Sequence, residues 1–202
     1  MTLDRFRPLA DRALAPFVTL AARLGLTPNA VSVVAAVLAA GAGVAFHLAA
    51  RSVVWYAVGA LLVFCNGWLD LVDGALARRL AVESEAGDLL DHALDRYADI
   101  FIIVGLASGI GRFGLGLAAV TGVLMTSYLG TQSEAVGLER VYGGLLGRAD
   151  RLALTGLASV ATAAYPQPVG GLTVVGWLLV VFAVVGHLTA VQRFVGAFRA
   201  LS

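Results

Sequence analysis

The chain has 202 residues, is 59% hydrophobic and 13% charged, and carries a formal net charge of +1 with a mean hydropathy of +0.88. Soluble domains average about 25% charged residues, so this composition excludes an ordinary soluble globule and implies an integral membrane protein. The near-zero charge gives no basis for a nucleic-acid partner, and a single cysteine, Cys65, excludes an intramolecular disulfide and a Cys-based zinc site.

Residues 1–26 read as an amphipathic helix lying in the membrane interface. Leu3, Phe6, Leu9, Ala10, Leu14, Phe17 and Leu20 recur at three- and four-residue spacing, with Arg5, Arg7, Asp11 and Arg12 between them. The same face would also serve a helix packed at the edge of a bundle. The opening is amphipathic rather than a basic tip followed by a continuous apolar stretch, so it does not read as a cleavable signal. Thr27-Pro28-Asn29 then marks a helix start, because a threonine hydroxyl caps free N–H groups and proline suits the first helical position.

Residues 27–202 divide into six apolar stretches at about 29–50, 53–79, 88–109, 113–136, 149–165 and 171–198, separated by short turns containing Gly, Pro or Arg. The expected fold is an all-α integral membrane protein, with six transmembrane helices preceded by the amphipathic interfacial helix. An even number of spans puts both termini on one side. Arg5, Arg7, Arg12, Arg23, Arg78, Arg79, Arg140, Arg148, Arg151, Arg193 and Arg199 fall on that side, against Arg51 and Arg112 on the other. That excess predicts cytoplasmic termini in a multi-pass cell (plasma) membrane protein. Arg96 falls inside the third span, where a charge needs a partner.

Six of the nine aspartates lie between residues 70 and 99. Carboxylates at membrane depth cost about 2.5–3.5 kcal/mol each near the bilayer centre, and clustered ones resist joint ionisation unless a cation sits among them. All-oxygen ligands favour Mg²⁺, Mn²⁺ or Ca²⁺. Asp70, Asp73, Gly74, Ala77 and Arg78 recur at helical spacing along one stripe, and Asp91 and Asp95 share a face of the next helix, with Gly87 one turn before. Each helix thus offers a carboxylate pair, and the short loop between them lets the pairs converge at the cytoplasmic surface around one or two metals. Small residues on the stripe admit a ligand close to the backbone, and the arginine offers a planar fork for phosphate oxygens. Carboxylates alone leave a cation transporter open; the glycines and the arginine in register favour an enzyme.

The segment from Asp70 to Asp95, DLVDGALARRLAVESEAGDLLDHALD, fits the pattern D-x2-D-G-x2-A-R-x8-G-x3-D-x3-D at every fixed position. In this it resembles the CDP-alcohol phosphotransferase family, as does the LTPNAVS segment before the first span. The resemblance implies a six-helix membrane fold, usually homodimeric, with a polar cavity facing the cytoplasm. It implies Asp70, Asp73, Asp91 and Asp95 as ligands of Mg²⁺ or Mn²⁺, two ions per protomer, and Asp95 also as general base. Gly74, Ala77 and Arg78 would face a CDP-linked lipid, Gly87 would let the third span approach, and Ser84, Pro28, Asn29 and Ser32 would line the nucleotide site. The lipid phosphate would pass to a small polar alcohol with release of CMP.

Other candidates carry less. Asp88 suits a helix N-terminus without any function, and Asp99, one turn beyond Asp95, is expected to pair with Arg96 or another buried cation. His47, His92 and His187 have no metal-ligating company. Trp55, Tyr56, Tyr165 and Trp177 fall near the outer ends of spans, as membrane anchors do, and Trp68, just before the motif, reads as core, with packing near the nucleotide as the second reading. For the acceptor, residues 142–151, YGGLLGRADR, place Arg148 and Arg151 at the start of the fifth span, where guanidiniums facing the same cavity as Asp95 would bind an acceptor phosphate. Together with GDLLDHALDRYADI, this segment resembles the archaeal branch of archaetidylinositol phosphate synthases. That implies inositol 1-phosphate as acceptor and CDP-archaeol or CDP-diacylglycerol as donor; glycerol 3-phosphate and serine remain open.

Overall fold

The computed structural model describes residues 7–138 and 146–202, with side chains from Arg12 onward. Leu3, Arg5, Phe6, Arg140 and residues 142–145 lie outside the described residues, as do the side chains of Arg7, Leu9, Ala10 and Asp11. The described chain is helical, without a strand, in the order α1 (Arg7–Arg23), α2 (Pro28–Leu48), α3 (Val54–Leu80), α4 (Glu85–Gly109), α5 (Phe113–Ala135), α6 (Arg148–Ala164) and α7 (Val174–Leu201).

Caps explain the boundaries. The Thr27 hydroxyl accepts from Ala30 N at 3.2 Å, so α2 starts at Pro28 as its sequence predicts. Ser84 caps α4 by accepting from Gly87 N at 3.1 Å, which starts that helix three residues before the expected 88. At the other end of the same loop Ala81 is left-handed, with φ 52°, and ends α3 so that the chain turns back at once into α4. Gly170 and Gly171, with φ of 61° and 84°, form a turn that delays α7 to its Thr173 cap.

Four helices, α2, α3, α5 and α7, are long and apolar enough to cross a bilayer, and the chain is a multi-pass membrane protein. Two of the six expected spans fall outside that set. α6 has only 17 residues, and α4 carries Asp88, Asp91, Asp95, Arg96 and Asp99 ahead of Ile100, too much charge for a span read from composition.

Helix α2 packs on α3 and α4, α5 on α7, and α6 on α3. Close approach needs missing side chains. A Cβ at Gly43 would stand 2.5 Å from the Phe101 carbonyl oxygen, and one at Gly105 would strike the Gly43 backbone, so α2 and α4 meet backbone to backbone; Gly122 and Gly186 do the same for α5 and α7. Phe46, Leu106, Leu179 and Phe182 fill the core between them. Asn66 of α3, buried, donates to the Ala35 carbonyl of α2 at 3.0 Å and fixes the rotation of α3.

The first helix is an edge-packing helix. Leu14, Val18 and Ala21 are buried against Val31, Val72 and Leu76, while Phe17 and Leu20 remain exposed, leaving an apolar surface for lipid. Arg79 Nη1 donates to Thr19 Oγ1 at 2.5 Å and pins α1 to the end of α3. Trp55, Tyr165 and Trp177 sit exposed at the helix ends remote from the aspartates. Tyr56 corrects the expectation of a membrane anchor, because rotation of α3 turns it into the core, 5% exposed and against Phe46.

Candidate functional site

The ends of α3, α4 and α2 converge around the carboxylates. Asp70, Asp91 and Asp95 each offer an oxygen, and these three oxygens lie within 4.8 Å of one another. Three hard oxygen donors from two helices, at that separation, fit a divalent cation. Asp73 stands outside this trio. Its Oδ2 accepts from Ser32 Oγ of α2 at 2.7 Å in a buried contact, so the fourth expected ligand is engaged with the helix bearing Pro28 and Asn29.

The loop side of the site is assembled from small and capping residues. Gly87 brings α4 beside α2, since a Cβ there would lie 3.2 Å from Ser84 Oγ and 3.5 Å from Asn29 Oδ1. Ser84 thus has a folding task as a cap, next to Asn29. Gly74 is not demanded by packing, because among the described residues a Cβ at that position would meet only Arg78 Nη1, at 3.5 Å. Ala77 is half-buried and Arg78 exposed, so this stripe of α3 is open.

Helix α6 supplies the cations. Arg148 forms ion pairs with Asp70 Oδ2 and, at 2.8 Å, with Asp95 Oδ1, joining α3 to α4 across the carboxylate group. Arg151, one turn on, is 6% exposed and pairs instead with Asp99, Nη2 to Oδ2 at 2.7 Å. The two arginines therefore have different carboxylate partners, although they share a helix face. Arg96 lies 3.6 Å from both Asp95 and Asp99 and hydrogen-bonds Ser127 of α5. Of these links only a cationic partner for Asp99 was expected; Ser127 carried no sequence signal.

The histidines find local partners. His47 Nδ1 is 2.6 Å from Ser108 Oγ, His92 Nδ1 is 2.8 Å from the Asp88 carbonyl, and His187 Nε2 is 3.3 Å from Thr121 Oγ1. Asp88 sits in the first turn of α4, as expected of an N-terminal carboxylate.

A groove of about 760 Å³ runs between α3 and α6 and reaches Asp70 and Arg148. Apart from those two, its walls are apolar or small, with Ala57, Ala60 and Gly67 on α3 facing Ala149, Ala153 and Gly156 on α6. The small residues on α6 recur at helical spacing, a signal available in the sequence. Trp68 also lines this groove, with Phe64 stacked on it at 6.0 Å and Phe17 edge-on at 5.3 Å.

Residues 25–188 match the family described as CDP-alcohol phosphatidyltransferase. The chain belongs to that family. It is therefore an enzyme, a membrane transferase acting on a CDP-linked lipid and an alcohol acceptor. Archaetidylinositol phosphate synthase of Methanothermobacter thermautotrophicus is 31% identical over 98% of this chain and 95% of its own length. Phosphatidylinositol phosphate synthase of Cutibacterium acnes is 33% identical over 70% of this chain and 79% of its own. In fold, the chain is similar to phosphatidylinositol phosphate synthase of Mycobacterium tuberculosis with CDP-DAG bound, at a TM-score of 0.80 and 24% identity over 93% of this chain and 94% of that one. A second structure of that protein, in complex with manganese and citrate, gives 0.79 at 23% identity over 92% and 88%.

Proposed function

We propose that this phosphatidyltransferase moves the phosphate-linked lipid of CDP-archaeol or CDP-diacylglycerol onto inositol 1-phosphate and releases CMP. The observation that supports the reading is the ion pairing of Arg148 with Asp70 and Asp95, which sets a guanidinium, a group suited to phosphate oxygens, beside the proposed base. The inositol phosphate products named for the archaeal and bacterial relatives agree with it.

The donor's CDP lies along Gly74, Ala77 and Arg78, where the protein leaves room, with Pro28, Asn29, Ser32 and Ser84 closing the nucleotide side. Its lipid tail follows the groove between α3 and α6, which starts at Asp70 and Arg148 and is otherwise apolar or small. Asp70, Asp91 and Asp95, with Asp73 behind them, hold Mg²⁺ or Mn²⁺, one ion or two. That metal supplies charge neutralisation at the pyrophosphate. Asp95 takes the proton of the acceptor hydroxyl; the freed oxygen forms a bond to the lipid-bearing phosphorus, and the bond from that phosphorus to CMP breaks. Arg148 and Arg151 hold the acceptor's phosphate so that its hydroxyl stands in line, and orientation supplies most of the acceleration.

We further propose that α4 and α6 complete six spans, with both termini and the site on the cytoplasmic side, where Arg23, Arg78, Arg79, Arg148 and Arg199 outnumber Arg51 and Arg112 opposite. The domain division is α1 as an interfacial element, residues 1–26, and the transferase bundle, 27–202. A homodimer goes with the family reading, and cross-linking in native membranes tests it.

Release of labelled CMP decides the acceptor, measured with inositol 1-phosphate, glycerol 3-phosphate, serine and unphosphorylated inositol in parallel. Inositol 1-phosphate is expected to give the highest kcat/KM. A preference for glycerol 3-phosphate keeps the phosphate pocket and changes the alcohol, whereas a preference for serine or free inositol removes the pocket from the reading.

A further inference from the structure

Asp99 lies outside the eight-residue signature, and the transfer step makes no use of it. It is 4% exposed, and one of its oxygens faces two guanidiniums: Arg151 Nη2 at 2.7 Å and Arg96 Nη1 at 3.6 Å. Arg96 is tied in turn to Ser127. A chain of polar contacts thus runs from α5 through α4 to α6, ending on Arg151. Among the described residues the Arg151 Nε is buried with no hydrogen-bond partner, and its side chain borders a small cavity with Thr126, Gly186 and Thr189.

A buried ion group of this kind is a poor way to hold helices together. Replacing such a group by packed apolar residues is commonly neutral or stabilising, and charges at membrane depth are costly. Fixing the direction of a guanidinium is a task that apolar residues cannot perform. A long arginine side chain held at one Nη by a rigid carboxylate loses its rotamer freedom before the ligand arrives.

We infer that Asp99 is a positioning residue for the acceptor, its carboxylate aiming Arg151 at the acceptor's phosphate group while Arg96 and Ser127 hold that carboxylate from behind. The inference rests on the reading of Arg151 as an acceptor ligand given above.

The test uses the full chain in detergent micelles with inositol 1-phosphate and whichever of CDP-archaeol and CDP-diacylglycerol supports turnover. KM for each substrate is measured in Asp99→Asn, Arg151→Gln and the double variant. Arg151→Gln is expected to raise the acceptor KM on the order of tenfold, and Asp99→Asn by a similar factor, with the donor KM within about twofold of wild type. The double variant is expected to be no worse than Arg151→Gln alone, because Asp99 acts through Arg151. Additive losses, an unchanged acceptor KM in Asp99→Asn, or equal rises in both KM values would overturn the inference while leaving Arg151 as a ligand. An unchanged acceptor KM in Arg151→Gln removes the acceptor reading itself, and the inference with it. Where Asp99→Asn does not yield monodisperse protein, Asp99→Glu decides, since it keeps the charge and shifts the carboxylate by one methylene. A raised acceptor KM with normal donor KM supports positioning, and wild-type values for both overturn it.

Discussion

Arg148 Nη2 stands 2.8 Å from Asp95 Oδ1, so the proposed base is met directly by a cation from α6. Around this contact, Asp70, Asp73, Asp91, Asp95 and Asp99 face Arg96, Arg148 and Arg151. Five carboxylates against three guanidiniums leave two negative charges, which one divalent cation neutralises. A second ion would require further negative charge, of the kind a substrate pyrophosphate brings.

That balance predicts a strict metal requirement. Excess EDTA is expected to abolish CMP release, with recovery on adding Mn²⁺ or Mg²⁺. Binding to the folded state also stabilises it, by about 2.7 kcal/mol at a hundredfold excess over Kd, so Tm is expected to rise with Mn²⁺. Full turnover in protein shown to be metal-free would remove the Asp70, Asp91, Asp95 site.

Asp95→Asn keeps the side chain's shape and one ligand oxygen but cannot take a proton. Loss of a general base costs about 10²–10⁴-fold in rate, so kcat is expected to fall by at least that factor while the CDP-lipid still binds. Equilibrium binding of the donor beside single-turnover kinetics separates the two effects. A near-normal rate would move the base, with Asp91 the first place to look.

Much of this site is legible in the sequence, because the signature carboxylates sit at helical spacing within single helices, where periodicity fixes which residues share a face. The caps at Thr27 and Ser84 obey local chemistry as well, and the Ser84 cap is a task the sequence reading leaves out. What spacing does not encode is the rotation and depth of one helix against another. The Ser32–Asp73 contact joins residues 41 apart and Arg151–Asp99 residues 52 apart. The first depends on how α3 is rotated against α2, and the same rotation takes Tyr56 into the core; the second depends on how glycines seat α4 on α2 and how α6 lies on α3. Charge on α4 has two effects: it makes the carboxylate group easy to find in the sequence, and it keeps the helix out of the set apolar enough to cross a bilayer.

The groove between α3 and α6 predicts a separable donor defect. Gly156 lines it, and a Cβ there would meet nothing within 4 Å among the described residues, so the position accepts a side chain and Gly156→Leu adds volume to the groove. A leucine displacing lipid contacts removes about 1.5–3 kcal/mol of apolar burial, which corresponds to roughly ten- to a hundredfold in donor KM. The acceptor KM and Tm are expected to stay near wild type. A variant with a normal donor KM would place the lipid tail elsewhere.

Arg148 gives the most discriminating prediction, because it touches two proposed metal ligands and is also proposed to bind the acceptor's phosphate. Removing it takes a positive charge away from Asp70 and Asp95, so the site becomes more negative and Mn²⁺ should bind more tightly, by about tenfold if even 1.4 kcal/mol of the repulsion is relieved. A charge-assisted contact to a phosphate, by contrast, contributes about 1.5–3 kcal/mol, so Arg148→Ala is expected to raise the acceptor KM about ten- to a hundredfold. The two constants therefore move in opposite directions in one variant. Arg148→Lys separates charge from shape, since an ammonium keeps the repulsion of the metal but lacks the planar fork; Mn²⁺ affinity is expected near wild type, with the acceptor KM still raised. Titration of Mn²⁺ followed by electron paramagnetic resonance, beside steady-state kinetics, reads both. An arginine serving only membrane topology would leave both constants unmoved, and weaker Mn²⁺ binding in Arg148→Ala would mean that its contacts to Asp70 and Asp95 organise the metal site instead of competing with it.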